Sequence, residues 1–161
     1  MTSRNIVLGI GNILNKDEGL GVQALHLLEK ELANRVPELE LVDGGTLGLD
    51  LLVYVEDTDH LLVLDAIDAG KVPGTVIELE RNQIPLYSGI KLSQHQITFQ
   101  EVLQLAQMRD HFPHYLHMIG AQPEDLSLGV GLSPSLEACQ GEIVQRAIKK
   151  LREWNLIPDI I

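Results

Sequence analysis

The sequence predicts an α/β domain on an open, mostly parallel sheet, and two observations carry that prediction. Short aliphatic runs alternate with longer segments of helical period along the whole chain. An acidic residue follows or ends each of the first three aliphatic runs, as loops at the carboxyl edge of such a sheet often do. The 161 residues suit one domain, 1–161, and no repeat, low-complexity tract or linker divides them. With 45% apolar but only 4% aromatic residues, the core must be built from Leu, Ile and Val.

The first strand is Ile6-Val7-Leu8-Gly9-Ile10, and Val22, Leu25, Leu28 and Leu32 mark one face of the helix after it. A second strand spans Glu38 to Val42 and ends at Asp43-Gly44-Gly45. The stretch from Thr46 to about Glu56 is expected to be helical, with Leu49, Leu52 and Val53 turned inward. Leu61-Leu62-Val63-Leu64 is the clearest strand, ending in Asp65, and Thr75 to Leu79 alternates as a further one. Arg81 to Gln96 carries Pro85 and Gly89 without a strong period and reads as a long functional loop. Thr98 with Glu101 matches a capping box opening a helix through Val102, Leu103 and Leu105. Tyr115 to Ile119 forms the last strand. Ser133 is then an expected N-cap, Pro134 the first helical residue, and Leu136, Ile143, Ala147, Leu151 and Trp154 the apolar stripe of the final helix.

Composition excludes several function classes. A formal net charge of -11 at pH 7 argues against a nucleic-acid partner, which needs clustered Lys and Arg. A single cysteine, Cys139, rules out an internal disulfide and a thiolate zinc cage, and its helical position suits packing as a small hydrophobe. The opening Met1-Thr2-Ser3-Arg4-Asn5 leads directly into a short apolar run, and no stretch reaches the ~18 apolar residues of a membrane span. A soluble cytoplasmic chain is the expectation.

Glu18, Asp43 and Asp65 belong to three different strand ends, where an open α/β sheet gathers its ligands. Crowded carboxylates repel unless a cation or a proton neutralises them. Asp65, between Leu64 and Ala66-Ile67, needs a partner of some kind; a backbone cap and a ligand role both meet that need. Gly9-Ile10-Gly11-Asn12-Ile13-Leu14 fails as a dinucleotide fingerprint because Leu14 occupies the third glycine position, and no Gly-Lys-Ser/Thr follows. These glycines are expected instead to bring backbone close to the crevice. Asp17 and Glu18 also suit the dipole of the helix they precede.

Of the six histidines, His111, His114 and His117 recur every third residue, but Pro113 interrupts them and they read as surface residues. His26 and His60 read as structural. His95, in Ser93-Gln94-His95-Gln96 at the end of the long loop, is placed to reach over the crevice. Joined by two carboxylates it would give a mixed nitrogen and oxygen set suited to nickel, zinc or cadmium.

Taken in order, these motifs resemble the nickel–iron hydrogenase maturation endopeptidases. Leu8-Gly9-Ile10-Gly11-Asn12-Ile13-Leu14 with Asp17-Glu18-Gly19-Leu20-Gly21 is similar to that family's first signature. Asp43-Gly44-Gly45-Thr46, Leu64-Asp65-Ala66 and Ser93-Gln94-His95-Gln96 are similar to the next three, and Gly120 to Glu124 with Gly131 to Pro134 follows the family's manner. The resemblance implies a three-layer sandwich, a twisted mostly parallel sheet flanked by helices on both faces. It implies Glu18, Asp65 and His95 as metal ligands and catalytic-site residues, with Asp43 functionally important and a candidate base. The implied substrate is a nickel-loaded precursor of a hydrogenase large subunit, from which a short C-terminal extension is removed. The nickel would arrive with the substrate, zinc or cadmium standing in for it in the isolated protein. A nickel-sensing chaperone of the same precursor, which binds without cutting, is the main alternative; a small-molecule hydrolase or nucleotide enzyme is weakened by the missing phosphate loop.

Overall fold

The computed structural model describes residues 3–86, 89–91 and 96–159. The sheet is built from β1 (Arg4–Ile10), β2 (Leu39–Gly45), β3 (Thr58–Ala66), β4 (Val76–Glu80) and β5 (Tyr115–Ala121), in the order β2-β1-β3-β5-β4. β1 runs parallel to β2 and β3, and β3 parallel to β5; β4 is the antiparallel edge. The helices are α1 (Leu20–Leu32), α2 (Leu52–Glu56), α3 (Phe99–Met108) and α4 (Pro134–Glu153).

Strand residues alternate between two cores, which makes the molecule three-layered. Val7, Leu62, Leu64 and Ile119 turn to one face and pack with Leu25 and Leu28 of α1 and Ile143 and Ala147 of α4. Ile6, Leu8, Leu61, Val63 and Met118 turn to the other, against Leu51, Val55 of α2 and Val102, Leu103 of α3. Because both faces are covered, the central strands are apolar without interruption. This is the α/β three-layer sandwich with helices on both faces that the resemblance implied.

Three local expectations are corrected. β2 continues through Asp43 to Gly45, so Asp43 is a strand residue rather than its terminus. The stretch after Thr46 is a 3-10 turn, Gly48–Leu51, running into the short α2. A 3-10 turn advances roughly 120° per residue against about 100° for an α-helix, so the inward face shifts. Leu51 and Val55 are buried there, while Leu49 and Val53 are exposed. His117 is the third correction: on β5 it is buried, not at the surface, whereas His111 and His114 are exposed. It lies 3.6 Å from a Glu78 carboxylate oxygen and 3.5 Å from one of Glu80, both on β4.

The chain order of the strands creates the site. From β1 the chain crosses to β2 on one side and then returns to β3 on the other, so β1 and β3 are neighbours whose following segments diverge. A crevice opens at that switch point, beyond the carboxyl ends of the strands. Gly21 brings the start of α1 hard against it: a Cβ there would lie 2.0 Å from the Leu64 carbonyl oxygen. Any side chain at that position would push α1 off β3.

Candidate active site

The turn after β1 is folded back on itself by one glycine. Gly11 has φ 132, donates its N–H to the Gly45 carbonyl at 2.9 Å, and leaves no room for a Cβ, which would fall 1.8 Å from the Glu18 carbonyl oxygen. Asn12 continues the turn, its Oδ1 accepting from Leu14 N–H at 2.9 Å and its Nδ2 donating to Asn15 Oδ1 at 3.0 Å. The chain then returns through a 3-10 turn, Lys16–Gly19, which sets Glu18 over the end of β1. Glu18 is 5% exposed, and its Oε2 accepts the Asn12 N–H at 2.7 Å.

Asp65 reaches the same place from β3. Its Oδ1 accepts the N–H of Ala66 at 2.8 Å. Burial first, and the nearby Glu18 charge second, push the Asp65 carboxyl well above the usual carboxylate range, opposed by that N–H. Burial also raises Glu18, against hydrogen bonds from the Asn12 backbone and the Gln96 side chain. Both carboxylates line a cleft of ≈ 260 Å³, walled by Gly11, the Gly45–Leu49 turn, Gly89, Ile90 and residues 96–100. Two crowded acids with so few donors are neutralised by protonation or by a cation.

Among the described residues no other predicted site residue joins this cleft. His95 lies outside the described residues; among the described residues no three of His, Cys, Asp and Glu converge as a metal site. Asp43 is exposed on β2, outside the residues that line the cleft, with Oδ2 3.6 Å from Nε2 of His26 on α1. His60 stacks on Tyr115, ring centroids 4.2 Å apart. Cys139 is buried, where apolar surroundings raise its thiol.

Two residues carry more than the sequence reading gave them. Asp17, read as a dipole partner, is 0% exposed and accepts the backbone N–H groups of Glu124 and Asp125 at 2.9 Å, that of Ser133 at 2.7 Å, and the Ser133 hydroxyl at 2.8 Å. Ser133 therefore spends its hydroxyl on Asp17 and makes no side-chain cap for α4. The only hint in sequence was the adjacency of two acids where the dipole needs one. Gln96, beside His95 in the fourth motif, was quoted but given no role, and its side chain reaches Glu18.

Known proteins share this architecture and sequence. A family model described as hydrogenase maturation protease matches residues 22–150. The hydrogenase expression/formation protein HupD of Rhizobium leguminosarum bv. viciae is 42% identical over 157 residues, covering 95% of this chain and 76% of that protein. The hydrogenase 2 maturation protease of Escherichia coli strain K12 is 37% identical, over 93% of this chain and 92% of its own. The solved structure of the hydrogenase maturating endopeptidase HybD from E. coli superposes with a TM-score of 0.81 at 35% identity, covering 93% of both chains. A match of this extent settles the assignment: the chain belongs to the hydrogenase maturation proteases and is a peptidase.

Proposed function

We propose that this peptidase removes the C-terminal extension of a nickel-loaded hydrogenase large-subunit precursor and reads the substrate's nickel at the Glu18–Asp65 cleft. The observation that carries the reading is the meeting of two sparsely hydrogen-bonded carboxylates, buried Glu18 and half-buried Asp65, at the β1/β3 switch point. Open α/β sheets bind ligands at such switch points, and a pair of crowded acids there also invites a divalent ion. His95 would complete the donor set with a nitrogen, favouring nickel over magnesium or calcium. Because the ion belongs to the substrate, cleavage is restricted to precursors that already carry it.

The chain's own residues then have definable tasks. Burial favours the protonated forms of Glu18 and Asp65, and a cation is held by the ionised ones, so binding tightens as pH rises. A carboxylate with a raised pKa is also suited to take a proton from water and return it to the leaving amine. A cleft of ≈ 260 Å³ admits a short extended segment, not a folded domain, which suits a chain terminus. Asp43, exposed and outside the cleft, would meet the precursor only beyond it.

The test is mass analysis of the purified protein mixed with nickel-loaded and nickel-free forms of the same precursor. Loss of a C-terminal peptide from the loaded form alone is expected. Equal cleavage of both forms would remove the nickel-reading role, and nickel-dependent binding without shortening would replace the peptidase reading with that of a chaperone.

A further inference from the structure

We propose that Gln96 is a positioning residue that fixes the Glu18 carboxylate through a neutral hydrogen bond and ties it to the start of α3. The inference rests on the reading of Glu18 as a metal-reading group and adds to it the device that orients the group.

Glu18 is held from two directions. From the β1 side, the rigid Gly11–Asn12 turn presents the Asn12 N–H to Oε2 at 2.7 Å. From the opposite wall of the cleft, the Gln96 side chain hydrogen-bonds to the same carboxylate. An ionised carboxylate only accepts, so the amide NH2 of Gln96 is the donor. The two donors come from segments far apart in sequence, so the carboxylate plane is defined only when both walls are in place.

The wall that carries Gln96 is itself stapled. Thr98 N–H donates to Glu101 Oε2 at 2.7 Å, and Glu101 N–H to Thr98 Oγ1 at 3.3 Å, the reciprocal box that opens α3. The other Glu101 oxygen receives Lys91 Nζ at 2.8 Å. One glutamate thus anchors both flanks of residues 92–95. Gly89 packs so closely on this base that a Cβ there would lie 2.4 Å from Thr98 Cβ and 2.5 Å from Gln100 Oε1. Gln96 is the link from this fixed base to the floor of the cleft.

The choice of an amide has a chemical reason. A Lys or Arg at this position would hold Glu18 equally well but would neutralise it and repel an incoming cation. A neutral donor orients the carboxylate and leaves its charge for the metal, as partners of metal-binding carboxylates commonly do.

Cadmium ion alone, titrated into the isolated full-length protein by calorimetry, tests this without a precursor. Q96M keeps the side-chain length and removes the donor; it is expected to bind cadmium about 10-fold more weakly at an unchanged melting temperature. Q96K is expected to bind more weakly still. With precursor as substrate, Q96M should lower kcat with little change in KM. Wild-type affinity in Q96M alongside lost binding in E18Q would overturn the positioning role and leave the site reading intact. Wild-type affinity in E18Q would instead remove the site reading on which the inference rests. A fall in the Q96M melting temperature matching its loss of affinity would make Gln96 a packing residue and overturn the proposal.

Discussion

Asp17 and Glu18 are adjacent in sequence, both buried, both acidic, and they do opposite work. Four donors surround Asp17, and together they hold it below its ordinary pKa although burial alone would raise it. Glu18 has one backbone donor and one amide, and burial wins. The first carboxylate is an anion whose charge is fully answered by the protein; the second is an anion left partly unanswered in a cleft. Hydrogen-bond saturation, not residue type, separates the acid whose charge the fold answers from the one left open to a ligand.

The comparison is most sharply tested at the cleft. E18Q and D65N should each slow precursor processing ~100-fold or more, the scale of losing a group that acts on the reacting centre. Their unfolding midpoints should stay unchanged or rise, since each removes crowded charge. Processing at the wild-type rate in both variants would end the site assignment. D17A should show the reverse pattern in its primary effect: stranding three part-buried N–H groups and a hydroxyl costs about 3 kcal/mol, a fall in melting temperature of ~6–12 °C. A loss below ~1 kcal/mol by urea titration would mean that water replaces Asp17 without penalty.

Smaller effects belong to the far end of the sheet. His117 is held below its ordinary value by burial first and Lys150 second, with Glu80 and Glu78 opposing. Other charges close by are Arg81 and His114, which line the same small pocket. A histidine depressed in the folded state contributes stability that is complete above its unfolded pKa of about 6.5 and is lost as pH falls through the folded value. Wild type should therefore lose stability below about pH 6.5 more steeply than H117L does, and parallel pH profiles would show that His117 carries no such linkage. Smallest of all, D43N breaks only a 3.6 Å contact between half-exposed groups and should shift unfolding by less than ~0.5 kcal/mol, checked by the same titration.

What could be read from sequence follows the range of the forces involved. β1, α1, β3 and α3 were legible because aliphatic period and a capping box are written within a dozen residues. The segment after Thr46 was misread because periodicity assumes a constant turn, and a 3-10 start displaces the inward face onto Leu51 and Val55. His117 escaped because a strand covered on both faces gives its residues no polar alternation to betray which way they point. Glu18, Asp65 and Asp43 were singled out from their places at strand ends; the structure brings the first two to one cleft and leaves Asp43 outside it. Asp17 was beyond reach, since its partners lie 107 to 116 residues away. Gln96 was visible in the motif, but only geometry names what it touches.

That distance gives the Asp17 knot a temporal meaning. Every strand of the sheet is complete by Ala121, yet Asp17 finds its last donors only at Ser133. A chain emerging from the ribosome can therefore assemble its sheet before it can set the turn that carries Glu18. The turn that presents Glu18 to the cleft would then settle after the sheet. Pulsed hydrogen exchange during refolding should see it: the amides of Glu124, Asp125 and Ser133 gaining protection after those of β1 and β3, with simultaneous protection ruling the delay out.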